Sequence, residues 1–344
     1  MLCLTTRMVP WDDGELEQRI RTLLDVQIPG IILSHEDPLD HWVFMVREIR
    51  GAKHAVPAAT VPAPGKPFLP GQPHLLPHLD AIEESESRHA LESVLHCLRH
   101  AEDLEIPSLI LSPLTLPLSS QTQQLQRKHA DWFQQRRALL KSIPKEDIDT
   151  IADIETRIRF LLEEYLRFFT QWQQTVAPLT HRKDGLLRNL EKILDEADRR
   201  GTQILLRESR DPSTPLQRED LSEVFERFSG APLGHVLDPA AEAANRDMQG
   251  LESADVRESP LQQAAGLLLS NLDDSFRETL PLSGILEPDL LFCSDGAPIS
   301  CPLHILDPAP KTSLSDLANA VVDIRNGGLD GKPAPEPGEP WKLF

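Results

Sequence analysis

Eight short apolar runs recur along this chain, and segments with helical periodicity separate most of them. The runs are LCLTT (2–6), GIILS (30–34), AVPAATV (55–61), SLILS (108–112), TQILLRES (202–209), GHVLD (234–238), DLLFCSD (289–295) and PLHILD (302–307). Continuous apolar runs of this length are typical of parallel strands that are buried on both faces. Eight such strands joined by right-handed helical crossovers can close into a (β/α)8 TIM barrel, which is the fold that the pattern predicts.

Polar residues end most of these runs, and barrels of this kind carry their chemistry at the carboxyl ends of the strands. The residues predicted there are Thr6, Ser34, Thr60, Ser112, Glu208, Asp238, Asp295 and Asp307. They are small hydroxyl groups and carboxylates. The chain contains no GxSxG, GxxxxGK[ST], HExxH or GxGxxG motif, which argues against hydrolases with a nucleophile elbow and against nucleotide-dependent enzymes.

Amphipathic periodicity predicts the helices between the strands. The predicted helices are 12–26, 39–50, 83–104, 184–200 and 313–325, and 261–272 is a further candidate. Ser313 is predicted to cap the last of these helices at its N-terminus. The proline-rich stretch 61–77 is predicted to be a loop at the mouth of the barrel.

The stretch 113–179 is the main departure from a minimal barrel. It is rich in Gln, Arg, Leu and aromatic residues, and Ser142–Ile143–Pro144 interrupts its helical pattern. We predict a helical insertion after strand four, packed through its aromatic residues, whose exposed part forms a lid or an oligomer contact. The predicted organisation is a single barrel domain over 1–326 that includes this insertion, followed by a Gly/Pro-rich tail over 327–344.

Composition narrows the function classes. The chain of 344 residues carries 54 acidic and 35 basic residues and a formal net charge of −19, which argues against nucleic-acid binding and against anionic membranes. The cysteines Cys3, Cys97, Cys293 and Cys301 match no zinc signature. No signal peptide and no apolar stretch of about 18 residues is visible, so the expected location is cytoplasmic.

Three stretches resemble the sugar phosphate isomerase/epimerase superfamily, the xylose isomerase-like TIM barrels. His78–Leu79–Asp80, followed by an acidic spacer and a helix into the SLILS run, resembles the family's passage from strand three to strand four. The passage 197–208 resembles its strand five, which ends on a metal-binding glutamate, and 234–238 resembles its strand six, which ends on a metal-binding aspartate. The ordered set carries the resemblance.

The resemblance implies a divalent ion, held by Glu, Asp, His and Glu, that polarises a sugar oxygen while carboxylates move protons between adjacent carbons. Here Glu208 and Asp238 match the first two ligands, and Asp307 matches the last one with a shorter side chain. Ala241 and Phe292 stand where the family has histidines. Carboxylates without imidazole suit Mn²⁺ or Mg²⁺ better than zinc.

The candidate site residues follow from this resemblance and from position. Glu208 and Asp307 are the candidate proton carriers, and Glu208, Asp238 and Asp307 are the candidate metal ligands. Arg207, Arg210, His74 and His35 are candidates for holding the substrate. For Glu208 and Asp238 an ordinary structural role is an equal alternative, and for Asp307, His235 and His304 a structural role is favoured.

Two hypotheses from different classes remain open at the level of sequence. The first is a metal-dependent isomerase, epimerase or lyase that acts on a sugar or polyol with Mn²⁺ or Mg²⁺. The second is a catalytically inactive barrel that serves as a binding or assembly protein, with 113–179 as the contact to a protein partner or to a second copy.

Overall fold

The computed structural model describes residues 1–8, 16–34, 37–61, 79, 84–111, 120–141, 148–175, 179–207, 218–248, 264–272, 278–280, 301–308 and 312–325. The described strands are β1 (Leu2–Thr5), β2 (Gly30–Ile32), β3 (Ala58–Val61), β4 (Ser108–Leu111), β5 (Gln203–Arg207), β6 (Leu233–Leu237), β7 (Ala264–Leu268), β8 (Asn271–Leu272), β9 (Glu278–Thr279) and β10 (Leu303–Leu306). Eight of them form one parallel sheet in the order β2-β1-β10-β7-β6-β5-β4-β3, and β8 and β9 form a small antiparallel pair.

The two edge strands of the large sheet, β2 and β3, meet through isolated bridges. The Ile31 amide donates to the Ala55 carbonyl at 2.9 Å, and the Thr60 amide donates to the Leu33 carbonyl at 2.8 Å. These hydrogen bonds bring the sheet round into a nearly closed barrel, and the predicted (β/α)8 TIM barrel is confirmed.

The described helices are α1 (Leu16–Leu24), α2 (Leu39–Gly51), α3 (Glu84–Asp103), α4 (Ser120–Lys141), α5 (Ile148–Thr175), α6 (Leu179–Arg200), α7 (Arg218–Arg227), α8 (Pro239–Met248) and α9 (Leu314–Arg325). The helices predicted before β2, β3, β4, β5 and after β10 are confirmed within a few residues at their ends. The Asp316 amide donates to the Ser313 hydroxyl at 3.1 Å, so the predicted cap of α9 is also confirmed. No helix in the described part of the chain has the length and apolarity needed to cross a membrane.

The prediction of a helix over 261–272 is wrong, because Ala264–Leu268 forms β7 between β6 and β10. Alanine and leucine favour helices in isolation, and a short apolar run does not distinguish helix from strand. The run 289–295, predicted as the seventh strand, lies outside the described residues, and β7 takes the barrel position predicted for it.

Two apolar layers hold the barrel together. The inner layer takes residues from all eight strands of the sheet: Cys3, Ile32, Ala58, Ile110, Leu205, Val236, Leu268, Leu303 and Ile305. The neighbouring strand residues, such as Leu4 and Leu206, belong to the outer apolar layer together with Trp42 and Met45 of α2. Each fully buried aliphatic side chain contributes about 1.5–3 kcal/mol to folding, so the core fixes the strand ends at which polar residues follow.

Helices α4 and α5 form an antiparallel hairpin, called here the α4–α5 hairpin, which has a core of its own. Trp132, Tyr165 and Phe169 are buried in one cluster, and the Trp132 and Tyr165 rings stack with their centroids 5.3 Å apart. These three aromatic residues thus serve packing, and α4 ends at Lys141, just before the predicted break. That this part of the chain is an insertion into a single barrel domain, and that a tail begins at 327, stay predictions.

Candidate functional site

Polar residues follow the inner apolar layer with a regular spacing of two. Successive residues of a strand point to opposite faces, so the residue two positions after an inward-facing side chain is again on the inner face. The described residues at these positions are Thr5, Ser34, Thr60, Arg207, Asp238, Ser270 and Asp307. They define the mouth of the barrel at the carboxyl ends of its strands.

Asp307 is the best-connected group of the mouth. The Thr5 hydroxyl donates to its Oδ1 at 2.6 Å, and Arg207 Nη1 donates to its Oδ2 at 2.9 Å. Arg7 Nη1 lies 3.5 Å from the same Oδ2. Burial alone would raise the pKa of Asp307, but Arg207, Arg7 and the Thr5 hydrogen bond outweigh it and lower the pKa from 3.8 to about 2. Asp307 is therefore ionised at neutral pH.

Arg207 joins two carboxylates. Its Nη1 binds Asp307, and its Nη2 lies 3.5 Å from Oδ2 of Asp238. The other oxygen of Asp238, Oδ1, accepts a hydrogen bond from the Ala241 amide at 3.0 Å in the first turn of α8. Asp238 thus caps a helix and binds a guanidinium at the same time. We call the group Asp238, Arg207 and Asp307 the arginine bridge.

A second network lies beside the mouth and is structural. Arg19 of α1 and Asp37 are both buried, and Arg19 Nη1 binds Asp37 Oδ1 at 2.5 Å. The Thr6 hydroxyl donates to Asp37 and accepts from the Ser34 amide at 2.7 Å. Arg19 Nη2 also donates to the Thr6 carbonyl at 2.9 Å. These bonds pin the end of β1 to α1 and to the turn after β2.

The structure brings together three of the predicted site residues, Arg207, Asp238 and Asp307. The other predicted residues, Glu208, Arg210, His74 and His35, lie outside the described residues, as do Ser112 and Asp295. Thr6, predicted as the end of the first strand, lies one residue beyond β1 and binds Asp37, whereas Thr5 is the last residue of β1 and contacts Asp307. Thr5 and Arg7 are the functional candidates that sequence reasoning missed. Counting in steps of two from Cys3 would have found both.

The buried histidine and thiols near the barrel do not add to this chemistry. His235 is buried with its ring 5.7 Å from that of Phe225 of α7, which matches the expectation of a core histidine. Burial raises the pKa of Cys3 to about 12 and that of Cys301 to about 11. Both are thiols at neutral pH and poor nucleophiles.

Comparisons with known proteins agree on the fold. No protein-family model and no curated protein sequence matches this chain. A solved xylose isomerase domain protein from Alicyclobacillus acidocaldarius is similar to it with a TM-score of 0.53 at 10% identity, over 95% of this chain and 100% of that one. An L-ribulose 3-epimerase gives a TM-score of 0.57 at 12% identity, over 95% and 93% of the two chains. The chain has the xylose isomerase-like barrel fold.

A third solved structure, that of the IolI protein with a zinc atom bound, gives a TM-score of 0.56 at 11% identity over 96% of each chain. The resemblance suggested by the sequence is thus confirmed at the level of the fold. At these identities the likeness concerns the fold alone, so the chemistry of this xylose isomerase-like barrel has to be argued from its own residues.

The described residues of this xylose isomerase-like barrel do not fit a divalent metal ion. Within the described ranges no three His, Cys, Asp or Glu side chains come close enough together to hold one. Both carboxylates of the arginine bridge already contact Arg207, and Arg7 adds a second positive charge beside Asp307. A doubly charged ion would enter against two guanidinium groups.

Proposed function

We propose that this xylose isomerase-like barrel binds a neutral sugar or polyol at its mouth and does so without a metal ion. The observation that carries the proposal is the arginine bridge, in which one guanidinium holds Asp238 and Asp307. Among the described residues of the mouth, these two carboxylates face the two guanidinium groups of Arg207 and Arg7, so these four groups balance in charge. A balanced site of this kind favours a neutral polar ligand over a strong anion or cation.

The mouth offers hydrogen bonds of the kind that hydroxyl groups use. Thr5, Ser34, Thr60 and Ser270 are buried residues with hydroxyl groups; that of Thr5 donates to Asp307 and can accept, and a hydroxyl in general can both donate and accept. The side chains of Arg207 and Arg7 are 17% and 26% exposed, so both are partly accessible from solvent at the barrel mouth. A sugar could therefore meet donors and acceptors together.

Asp307 is better suited to holding a ligand than to moving a proton. A general base works best when its pKa lies near the working pH, and the pKa of Asp307 is about 2. This favours an acceptor role for Asp307 and disfavours its predicted role as proton carrier. The proposed function is therefore closer to the second hypothesis, a catalytically inactive barrel that serves as a binding protein.

Titration calorimetry with a panel of aldoses, ketoses and polyols tests the proposal. We expect one sugar class to bind in the presence of a chelator and to bind at least about tenfold more weakly to Thr5→Val, because the variant frees Asp307 Oδ1 and disturbs the mouth. The control is Ser313→Ala, which alters only the cap of α9. Absence of binding across the panel, or binding that the chelator abolishes, would contradict the proposal.

The second candidate is a metal-dependent sugar isomerase, epimerase or lyase. It is favoured by the fold shared with the L-ribulose 3-epimerase and with the zinc-bound IolI protein. Glu208, Asp238 and Asp307 would hold Mn²⁺ or Mg²⁺, Glu208 would carry protons, and Arg207, Arg210, His74 and His35 would hold the substrate. Elemental mass spectrometry of protein purified without chelator tests it: about one ion per chain, absent from Glu208→Gln/Asp238→Asn, is its expected result.

The α4–α5 hairpin is the proposed contact to a protein partner or to a second copy. A groove of about 610 Å³ lies between its helices, and the Phe160 side chain on its wall is 63% exposed. An exposed aromatic beside an apolar groove is the kind of surface that associates. Light scattering coupled to gel filtration tests this role, since Phe160→Glu should dissociate any oligomer formed through the groove without unfolding the chain.

A further inference from the structure

We infer that the Arg207 guanidinium takes the place of a divalent cation between Asp238 and Asp307, so that guanidinium and metal exclude each other at this pair of carboxylates. The inference rests on the proposed function, since it concerns the same site. It assigns Arg207 a specific role, that of a built-in cation, and predicts that its removal exposes a latent metal site.

The register of the strands places the Arg207 side chain on the inner face of the barrel. Arg207 is the last residue of β5 and pairs with Val236 of β6, two residues before Asp238. It faces inward because it lies two positions after Leu205 of the inner layer. Its long side chain therefore rises through the barrel to the level at which the carboxylates end β6 and β10.

The contacts carry the second step. One guanidinium places one terminal nitrogen 2.9 Å from Asp307 Oδ2 and the other 3.5 Å from Asp238 Oδ2. Asp238 is only 1% exposed and Asp307 only 5%, so neither carboxylate can be neutralised well by solvent. The pair requires a cation within the barrel, and Arg207 is covalently supplied, whereas a metal ion would have to be bound from solution.

The charges carry the third step. Among the described residues, removal of Arg207 leaves Arg7 as the cation near Asp307 and takes a positive charge from both carboxylates. Carboxylate oxygens are ligands of the type that Mn²⁺ and Mg²⁺ accept together with water. A divalent ion bound from solution then stabilises the two carboxylates, as the guanidinium of Arg207 does in the natural chain.

The experiment compares Mn²⁺ binding to the full chain and to Arg207→Ala by calorimetry and by the electron paramagnetic resonance of free Mn²⁺. We expect the natural chain to bind no Mn²⁺ at the mouth and Arg207→Ala to gain a site at least about tenfold tighter than any the natural chain shows. Added guanidinium ion should compete with Mn²⁺ in Arg207→Ala, and Asp307→Asn in the same background should abolish the gain.

A matched control is available on the surface. Arg200 also joins two carboxylates, those of Glu102 and Glu196, with Arg200 Nη2 2.5 Å from Glu196. Arg200→Ala likewise takes one guanidinium from two carboxylates, but Glu102 of α3 is 46% exposed and Glu196 of α6 keeps Arg199 Nη1 at 2.9 Å. We expect no gain in Mn²⁺ binding from this variant, and an equal gain would overturn the inference.

A second variant and a sugar-binding measurement distinguish a folding failure from a failure of either proposal. If Arg207→Ala does not fold, Arg207→Met retains the apolar length of the side chain and is measured in its place. No Mn²⁺ site in either folded variant overturns the inference, and so does a Mn²⁺ ion in the natural chain that Asp238→Asn removes. If the natural chain binds no sugar in the presence of chelator, the proposed function is contradicted, while the inference that Arg207 and a metal ion exclude each other is not.

Discussion

At the scale of single residues, Asp307 shows how a buried charge is stabilised here. Burial opposes its ionisation, yet the positive charges of Arg207 and Arg7 and the hydrogen bonds from Thr5 and Arg207 reverse that effect. The folded-state pKa of about 2 lies below the ordinary value of 3.8. A folded-state pKa below the ordinary pKa means that the folded protein stabilises the ionised carboxylate of Asp307 more than the unfolded chain does.

Acid unfolding checks this account. Because the folded pKa is depressed, the stability from Asp307 is fully present above pH 3.8 and is lost as the pH falls toward about 2. The loss over this window is about 2 kcal/mol. Chemical denaturation from pH 5 to pH 2 should show a steeper fall for the natural chain than for Asp307→Asn. Parallel curves for the two proteins would rule this contribution out.

Two glycines differ in what surrounds them and should respond oppositely to alanine. A Cβ on Gly30 of β2 would lie 2.7 Å from Cys3 Sγ, inside a packed barrel wall. A Cβ on Gly185 of α6 would meet nothing within 4 Å. Gly30→Ala should therefore destabilise the chain by about 1–3 kcal/mol, and Gly185→Ala should stabilise it by about 0.5–1 kcal/mol because glycine weakens helix interiors.

The free energy of unfolding from denaturant titration checks both glycine variants. A stabilising Gly30→Ala would show that β1 and β2 can separate at no cost. A destabilising Gly185→Ala would show that α6 carries a contact at this position that the structure does not contain.

At the scale of elements, the sequence predicts seven of the eight strands of the large sheet and misses β7, and it does not predict side-chain direction. Strands buried on both faces have no alternation of apolar and polar residues, so nothing in LCLTT or QILLR marks the inward face. This is why the sequence predicts Thr6 and Glu208 at two strand ends where the register places Thr5 and Arg207 on the inner face. Helices with one apolar face, such as α2 and α3, were predicted closely because their pattern is one-sided.

The α4–α5 hairpin should unfold separately from the barrel because its aromatic cluster is distinct from the other two cores. Trp132→Ala removes the ring that stacks on Tyr165, at a cost of about 3–5 kcal/mol to the hairpin. Hydrogen exchange with mass spectrometry should show faster exchange over 120–141 and 148–175 and unchanged exchange in β4 and β5. The exposed Phe160→Ala is the control, and faster exchange in the strands as well would contradict separate unfolding.

At the scale of the whole molecule, the barrel has one seam that differs from the others. The strands β5 and β6 pair over a continuous ladder, whereas β2 and β3 meet only through isolated bridges. Local opening concentrates where backbone hydrogen bonding is sparse. We therefore expect the amides of Ile31 and Thr60 to exchange before those of Ile204 and Leu206. Equal protection at the two places would show that the seam is as stable as the regular pairs.

The contact between Thr5 and Asp307 spans 302 positions of sequence. During synthesis a ribosome completes nearly all the barrel strands before the carboxylate partner of Thr5 exists, and Arg207 meets Asp307 only after a further 100 positions. A contact between residues so far apart in sequence costs loop-closure entropy before its interaction energy is gained. The mouth can therefore be completed only after β10 has been made, and a chain that stalls before β10 lacks both Asp307 and the strand that joins β1 to β7.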